Sequence, residues 1–298
     1  MANLPKQSGP TQATMLGRAA VHRERSATYS PFHQQDSAMT ASVGPWPGRF
    51  VWHDLMTKDA ARAKDFYASL FDWRVDEVPM GPFVYHMIQC GPGPIGGIVE
   101  EQGIPMAHWM PYIAVDDVDA TAAKIQSLGG SVCVPPTDIP NTGRFAVVGD
   151  PTGSYFSIFK GLPDSPGFDP DIPVLGRICW NELYSTDVGK AQAFFSEVFG
   201  WTPQMKDMGP AGNYHVQMLG DKQAAGMMQH PMPGTPSCWA CYFFVDNLSA
   251  ATDKAKSLGA TAMMENIPIP EVGAFSMLTD PTGAMFALFA MAPGTPNC

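Results

Sequence analysis

The chain is written twice. "VWHDLMTKDAARAKDFYASLFDW" (51–73) returns as "CWNELYSTDVGKAQAFFSEVFGW" (179–201). "VYHMIQCG" returns as "NYHVQMLG", "PYIAVDDVDATAAKIQSLGG" as "CYFFVDNLSAATDKAKSLGA", and "GRFAVVGDPTGSYFSIF" as "GAFSMLTDPTGAMFALF". The offset holds between 128 and 130 residues. Matches kept in phase over that distance imply two homologous domains.

A finer repeat divides each half. A strand, an acidic or amide residue and a helix recur about 58 residues apart, as "TKDAARAKDFYASLF" and "VDDVDATAAKIQSLGG". The Asp or Asn at each strand end is placed to cap the helix by accepting a backbone N–H. Ala63, Phe66, Tyr67 and Leu70 fall at helical spacing and predict the buried stripe of the first helix. "LGG" and "LGA" supply glycine C-caps to the second helix of each half. Short alternating segments broken by Gly and Pro follow, and "DPTG" at 150–153 and 280–283 reads as a tight turn before a last strand. Each quarter is therefore strand–helix–strand–strand–strand. Residues 1–45 read as a disordered tail, 46–162 and 175–298 as the two domains, and 163–174 as a Pro-, Gly- and Asp-rich linker. Met39 is a second candidate start.

At 298 residues, 45% of them hydrophobic, both domains can bury a core. No apolar run approaches the roughly 18 residues of a membrane span. The net charge of −10 argues against a nucleic-acid partner. A cytoplasmic protein with a small-molecule ligand is expected; self-association is left open. The six cysteines make no disulfide scaffold. "CWAC" (238–241) has redox spacing, against the plainer reading of a strand that carries two thiols.

These marks resemble the vicinal oxygen chelate superfamily of glyoxalase I, bleomycin-resistance proteins and extradiol dioxygenases. The residues that carry the resemblance are the "D-x6-FY" after the first strand, "YIAVDDVD" opening the second module, and "DPTG". They lie within residues 49–162 and 175–292, and the chain is most similar to the two-domain glyoxalase-like "hydroxylase" type. The resemblance implies an α+β fold. Four βαβββ modules would pair into two eight-stranded, U-shaped half-barrels with helices outside and a site on each concave face.

The resemblance also implies metal-ligand positions. The first-strand ligand, seven residues before the Asp that opens the helix, falls on Trp52 and Trp180. The fifth-strand histidine position falls on Met110 and Ala240. The last-strand glutamate falls on Ser157 and Ala287. The fourth-strand glutamate falls near "IGGI" and "AAGM", which hold no carboxylate. His53 is one residue out of phase. In a strand that turns a side chain to the other face, so His53 is expected to point away from the hollow, as is its counterpart Asn181. No metal and no other cofactor is expected, because divalent transition metals need several imidazole or carboxylate ligands together.

Alternation predicts what faces inward instead. The ligand-binding candidates are Trp52, Met110, Tyr112 and Ser157 in the first half. In the second half they are Trp180, Tyr184, Tyr242, Phe244, Ala287 and Phe289. Asp54 and Glu182 are the catalytic candidates, since a carboxylate amid aromatic surface has a raised pKa and can act as general acid or base. The plainer reading pairs them with Arg144, Arg177 or backbone N–H groups. His86 and His215 share a repeat position beside Tyr85 and Tyr214, and the sequence leaves open which of each pair faces the hollow. The expected function is binding of a small aromatic or carbonyl-bearing metabolite in an apolar trough. It would act by sequestration, or as a metal-independent isomerase, lyase or hydroxylation accessory factor. The alternative is a metal-dependent lyase of the glyoxalase I type or a dioxygenase.

Overall fold

The computed structural model describes residues 47–81, 83–91, 93–162, 174–209 and 212–292. The expected tail, and the expected linker as far as residue 173, lie outside the described residues.

The four quarters are built alike. The first holds β1 (Phe50–Thr57), α1 (Ala60–Phe71), β2 (Arg74–Met80), β3 (Phe83–Cys90) and β4 (Gly93–Glu100). The second holds β5 (His108–Ala114), α2 (Val118–Ser127), β6 (Ser131–Ile139), β7 (Gly143–Gly149) and β8 (Tyr155–Gly161). The third holds β9 (Ile178–Ser185), α3 (Val188–Phe199), β10 (Thr202–Asp207), β11 (Asn213–Leu219) and β12 (Lys222–Gln229). The fourth holds β13 (Cys238–Phe244), α4 (Leu248–Ser257), β14 (Thr261–Ile269), β15 (Gly273–Thr279) and β16 (Met285–Met291). Asp59, Asp117, Asp187 and Asn247 cap the four helices, each side chain accepting a backbone N–H three residues on.

Two eight-stranded mixed sheets result, in the orders β2-β3-β4-β1-β5-β8-β7-β6 and β10-β11-β12-β9-β13-β16-β15-β14. At the middle of each, the first strands of its two modules pair antiparallel, His53 opposite Pro111 and Asn181 opposite Cys241. No helix among the described residues is long and apolar enough to cross a membrane.

The helices lie outside each half-barrel yet inside the molecule. Phe66, Tyr67 and Leu70 of α1 share one core with Trp73, Trp109 and, from the other sheet, Phe243, Phe286 and Leu288. Phe194 and Phe195 of α3 share a second core with Ile113, Ala146 and Phe156 of the first sheet. The rings meet directly, Phe71 to Phe243 at 4.9 Å between centroids and Phe156 to Phe195 at 5.3 Å. Each helix layer thus covers its own sheet and completes the core of the other.

Reciprocal bonds mark a pseudo-two-fold axis. Trp73 Nε1 donates to the Gly176 carbonyl at 3.0 Å, and its counterpart Trp201 Nε1 to the Gly48 carbonyl at 2.9 Å. His53 lies on the axis itself, because its Nε2 is 2.8 Å from Oδ1 of its own counterpart Asn181. Two equivalent side chains can touch one another only there. His53 therefore points away from the trough, as its phase in the strand requires.

The symmetry breaks at one buried network. Trp109 Nε1 donates to the Tyr67 hydroxyl at 3.0 Å, which donates to Asp280 Oδ2 at 2.9 Å. At the equivalent place Tyr67 is replaced by Phe195, and Trp239 Nε1 is left with no partner. Asp150 is satisfied instead by the Ser154 hydroxyl at 2.7 Å, where the other half has Ala284.

Two outcomes are expected in urea unfolding. Ser154→Ala alone should cost about 1 kcal/mol by leaving Asp150 Oδ2 without its donor. Phe195→Tyr added to it should restore the loss by supplying one hydroxyl to both Trp239 and Asp150; simple additivity of the two substitutions would contradict this. The second outcome concerns pH. Burial holds the His53 pKa down to about 4, from 6.5 in an unperturbed imidazole. The unfolded chain therefore binds this proton first as pH falls. His53 should take nothing from stability above about pH 6.5, and a penalty rising to roughly 3 kcal/mol as pH falls toward 4. His53→Gln, which can still bond Asn181, should flatten that slope.

Candidate functional site

Strand alternation sends Trp52, Asp54 and Met56 of β1 into the first trough, on the face opposite His53. Asp54 is 5% exposed and has no cation beside it. Hydrogen-bond donors surround it instead. Oδ1 accepts from Trp52 Nε1 at 3.0 Å and from the Tyr85 hydroxyl at 2.7 Å. Oδ2 accepts from the Tyr112 hydroxyl at 2.7 Å, and the Gly97 backbone N–H also contributes. Desolvation dominates and raises the Asp54 pKa, while the donors oppose it. Burial and the neighbouring carboxylate push both tyrosines well above the usual phenol range, so they remain neutral donors.

The second trough repeats the plan with Glu182. Tyr242 donates to Oε1 at 3.0 Å, and Tyr184 and Tyr214 bond the same carboxyl. The Tyr184 and Tyr242 hydroxyls are 3.2 Å apart, and Trp180 Nε1 donates to the Tyr214 hydroxyl at 2.8 Å. Desolvation raises the Glu182 pKa in the same way.

Neither expected guanidinium reaches these carboxylates. Arg144 bonds Asp119 and Asp138, both at 2.7 Å, and Arg177 donates to the Cys90 carbonyl at 2.8 Å. In each Tyr–His pair the tyrosine faces the trough. His86 lies on the helix side near Lys64 and Glu77, its pKa lowered by burial and by Lys64. His215 is opposite Met205 and Met227, the latter part of the helix-side core. The structure therefore does not bring either histidine to Asp54 or Glu182. A glycine enforces this arrangement in both halves. A Cβ on Gly97 would meet the Tyr85 hydroxyl at 2.1 Å, and one on Gly226 the Tyr214 hydroxyl at 2.0 Å.

Of the expected lining residues, Met110 and Tyr112 are buried in the first trough with Trp52 at their edge, and Ser157 is buried opposite Tyr112. Tyr184, Tyr242 and Ala287 form the second cluster, with Trp180 and Phe289 partly buried against it. Phe244 is half-buried at the end of β13, across from Phe289. Cys238 and Cys241 lie on opposite faces of β13. Cys238 is 4.0 Å from His230 with its pKa raised to about 11, while Cys241 is buried against Asn181. That geometry removes the redox pair. His230, which no motif marked, has its ring 5.9 Å from that of Tyr184 at the trough end.

The two troughs differ in openness. In the first, Val134 on edge strand β6 is fully buried, and Ile104 in the loop before β5 is 3% exposed. In the second, Met264 replaces Val134 and is 37% exposed, and Met232 in the loop before β13 is 50% exposed. Beneath these, Met110, opposite Asp54, becomes the smaller Ala240, opposite Glu182, and both are buried.

Residues 49–158 and 176–288 match the Glyoxalase/Bleomycin resistance protein/Dioxygenase superfamily, and the chain belongs to it. It is 37% identical over 249 residues to CFP32 of Mycobacterium tuberculosis, a glyoxylase by name, covering 81% of this chain and 94% of that one. It is 30% identical over 270 residues to the anthracycline biosynthesis protein DnrV of Streptomyces peucetius, covering 84% and 96% of the two chains. Among solved structures, the Mn(II)-bound glyoxalase of Novosphingobium aromaticivorans shares the fold, with a TM-score of 0.60, 16% identity and 82% of each chain covered.

The superfamily's divalent cation does not fit the residues present. Its ligand positions hold indole, thioether, methyl and hydroxyl groups, and Gly97 and Gly226 stand against tyrosine rings. Among the described residues no three His, Cys, Asp or Glu side chains come together to hold an ion. The single carboxyl of each trough is already engaged by hydrogen-bond donors.

Gly226→Ala should therefore expel Tyr214 from the floor. The expected loss is about 1–3 kcal/mol, with a changed near-ultraviolet signal from Trp180. An unaltered spectrum and stability would refute the close approach.

Proposed function

We propose that the protein binds a small, flat aromatic or carbonyl-bearing molecule in the second trough, and that Glu182 with its tyrosines forms the polar floor. The observation that carries this reading is a buried carboxyl, paired with hydroxyls rather than a cation, under an indole in a trough with exposed edges. A concave apolar site with a few convergent polar groups suits such a ligand. The indole of Trp180 offers a stacking face, and methionines at the rim adapt to irregular outlines. The Streptomyces relative is named for anthracycline biosynthesis, and a polycyclic ring system of that kind has the flatness and carbonyl edges this floor would accept.

The chemistry available is proton transfer. A tyrosine hydroxyl donates to a ligand carbonyl oxygen, draws electron density into it and so acidifies the C–H of the carbon next to the carbonyl. Glu182, whose pKa desolvation raises, can take a proton from the carbon next to the carbonyl or from a neighbouring hydroxyl and return it elsewhere. Isomerisation, elimination and support of a hydroxylation all use such a step, and sequestration uses the same contacts without it. The first trough, sealed by Val134 and Ile104, keeps Asp54 as a structural centre.

Glu182→Gln separates the readings. The amide keeps the shape and hydrogen bonds of the protonated acid but cannot exchange its proton. With 1,4-dihydroxyanthraquinone as probe, wild type and variant should bind with affinities within about threefold (0.65 kcal/mol). Any turnover of a native substrate should fall by at least roughly a hundredfold in the variant. Loss of binding to Glu182→Gln with no turnover in wild type would make the carboxyl a recognition group only.

A further inference from the structure

We infer that the second trough selects an anion: a flat aromatic molecule bearing a carboxylate, phenolate or enolate oxygen that is met by Lys206 at the rim. This rests on the proposed function and specifies its ligand class. The argument starts from register. In antiparallel strands, directly opposed residues share a face. Tyr214 is opposite Met228 on one side and Lys206 on the other. The Tyr214 hydroxyl touches the floor, so Lys206 stands on the trough face of edge strand β10, one step outward from it. Gln204 follows on the same face, opposite Val216, which is itself opposite Gly226, the partner of Glu182.

The same positions in the first half have different chemistry. Val78, opposite Tyr85, is 8% exposed and closes that trough, and Asp76 is opposite Met87 and paired with Arg74 at 3.0 Å. Moving from the first half to the second, an apolar cover becomes an ammonium and an acid becomes an amide. The change removes a negative group and adds a positive one on the wall of the open trough only.

Lys206 is also uncommitted. Lys64 and Lys256 are held by carboxylates at 3.2 and 2.8 Å. Among the described residues no carboxylate pairs with Lys206. The adjacent Asp207 lies on the other face by alternation, and its Oδ1 accepts the Gly209 N–H at 2.8 Å. Across the trough, edge strand β14 presents Met264 on the trough face, opposite Met277. Desolvation raises the Glu182 pKa, so this floor ionises less readily than an exposed carboxyl and opposes a nearby anion less.

The test compares two probes of one shape, 2-naphthoate and its uncharged amide, 2-naphthamide, by calorimetric titration of the full-length protein at neutral pH. Wild type should bind the carboxylate about tenfold more tightly than the amide. Lys206→Gln should erase that preference while leaving the amide's affinity unchanged, and Ala240→Met should weaken both by filling the floor. Equal affinities in wild type, or a preference that survives in Lys206→Gln, would overturn the inference and leave the proposed function standing. Failure of both probes to bind wild type, or binding untouched by Ala240→Met, would overturn the proposed site and this inference with it.

Discussion

The phase of two strands governs the molecule. In β1 and β9, residues 53 and 181 turn toward the partner sheet, and the residues on either side turn into the troughs. A slip of one residue would drive two indoles and two carboxyls into the ring-packed layer between the sheets, away from the trough tyrosines that bond them. It would also expel the His53–Asn181 contact from the axis. One register therefore sets both how the halves join and what each hollow contains. An imidazole at that place must stay neutral, because its surroundings supply a hydrogen bond and no counter-charge.

The two faces of each sheet are under different constraints. The helix-side face is completed by rings from both halves, so a change in one alters the core of the other. One difference there is compensated for the aspartate though not for the Trp239 N–H. Where Phe195 lacks the Tyr67 hydroxyl, Ser154 supplies one to Asp150, and where Tyr67 has it, Ala284 needs none. The trough face belongs to one half alone and answers only to its own strands. The larger differences lie there: Ile104 and Val134 close one hollow, while Lys206 and Met264 stand open over the other.

Much of this was legible in the residues. The repeat made the four modules and their pairing plain, because homologous segments in phase cannot fold differently. The helix caps followed from Asp59, Asp117, Asp187 and Asn247, and the orientation of His53 followed from counting to Asp59. The opposition of Tyr85 to His86 did not follow. Both side chains tolerate a half-buried face, and alternation alone does not say which parity of β3 is inward. Glycine carried the missing signal, since Gly97 and Gly226 leave space for a ring on the neighbouring strand, but only after β3 and β4 are set in register. The partners of the two carboxyls were illegible for a related reason. Most come from strands dozens of residues away, and the arginines that charge alone would suggest are engaged elsewhere. The sealing of one trough and the opening of the other rest on loop and edge-strand packing, which periodicity does not report.

A carboxyl buried without a cation is unfavourable by several kcal/mol unless its oxygens are fully bonded. Asp54 meets that condition with an indole, two phenols and a backbone N–H, and nothing else needs to enter. Glu182 meets it differently. Its extra methylene carries the carboxyl further from the strand, Trp180 bonds Tyr214 rather than the acid, and Ala240 leaves the adjacent floor low. Two of its tyrosines, Tyr184 and Tyr242, also bond one another, so each of those hydroxyls has a second partner to turn to. A ligand oxygen arriving there can take a phenol from Glu182 while the network re-pairs behind it, and the count of buried hydrogen bonds is conserved. Binding then exchanges polar contacts of equal kind, and the net gain comes from covering the exposed apolar rim. On the proposed function, the plan that closes over Asp54 in one half would admit a ligand above Glu182 in the other, and the difference lies in one methylene, one missing thioether and an uncovered edge.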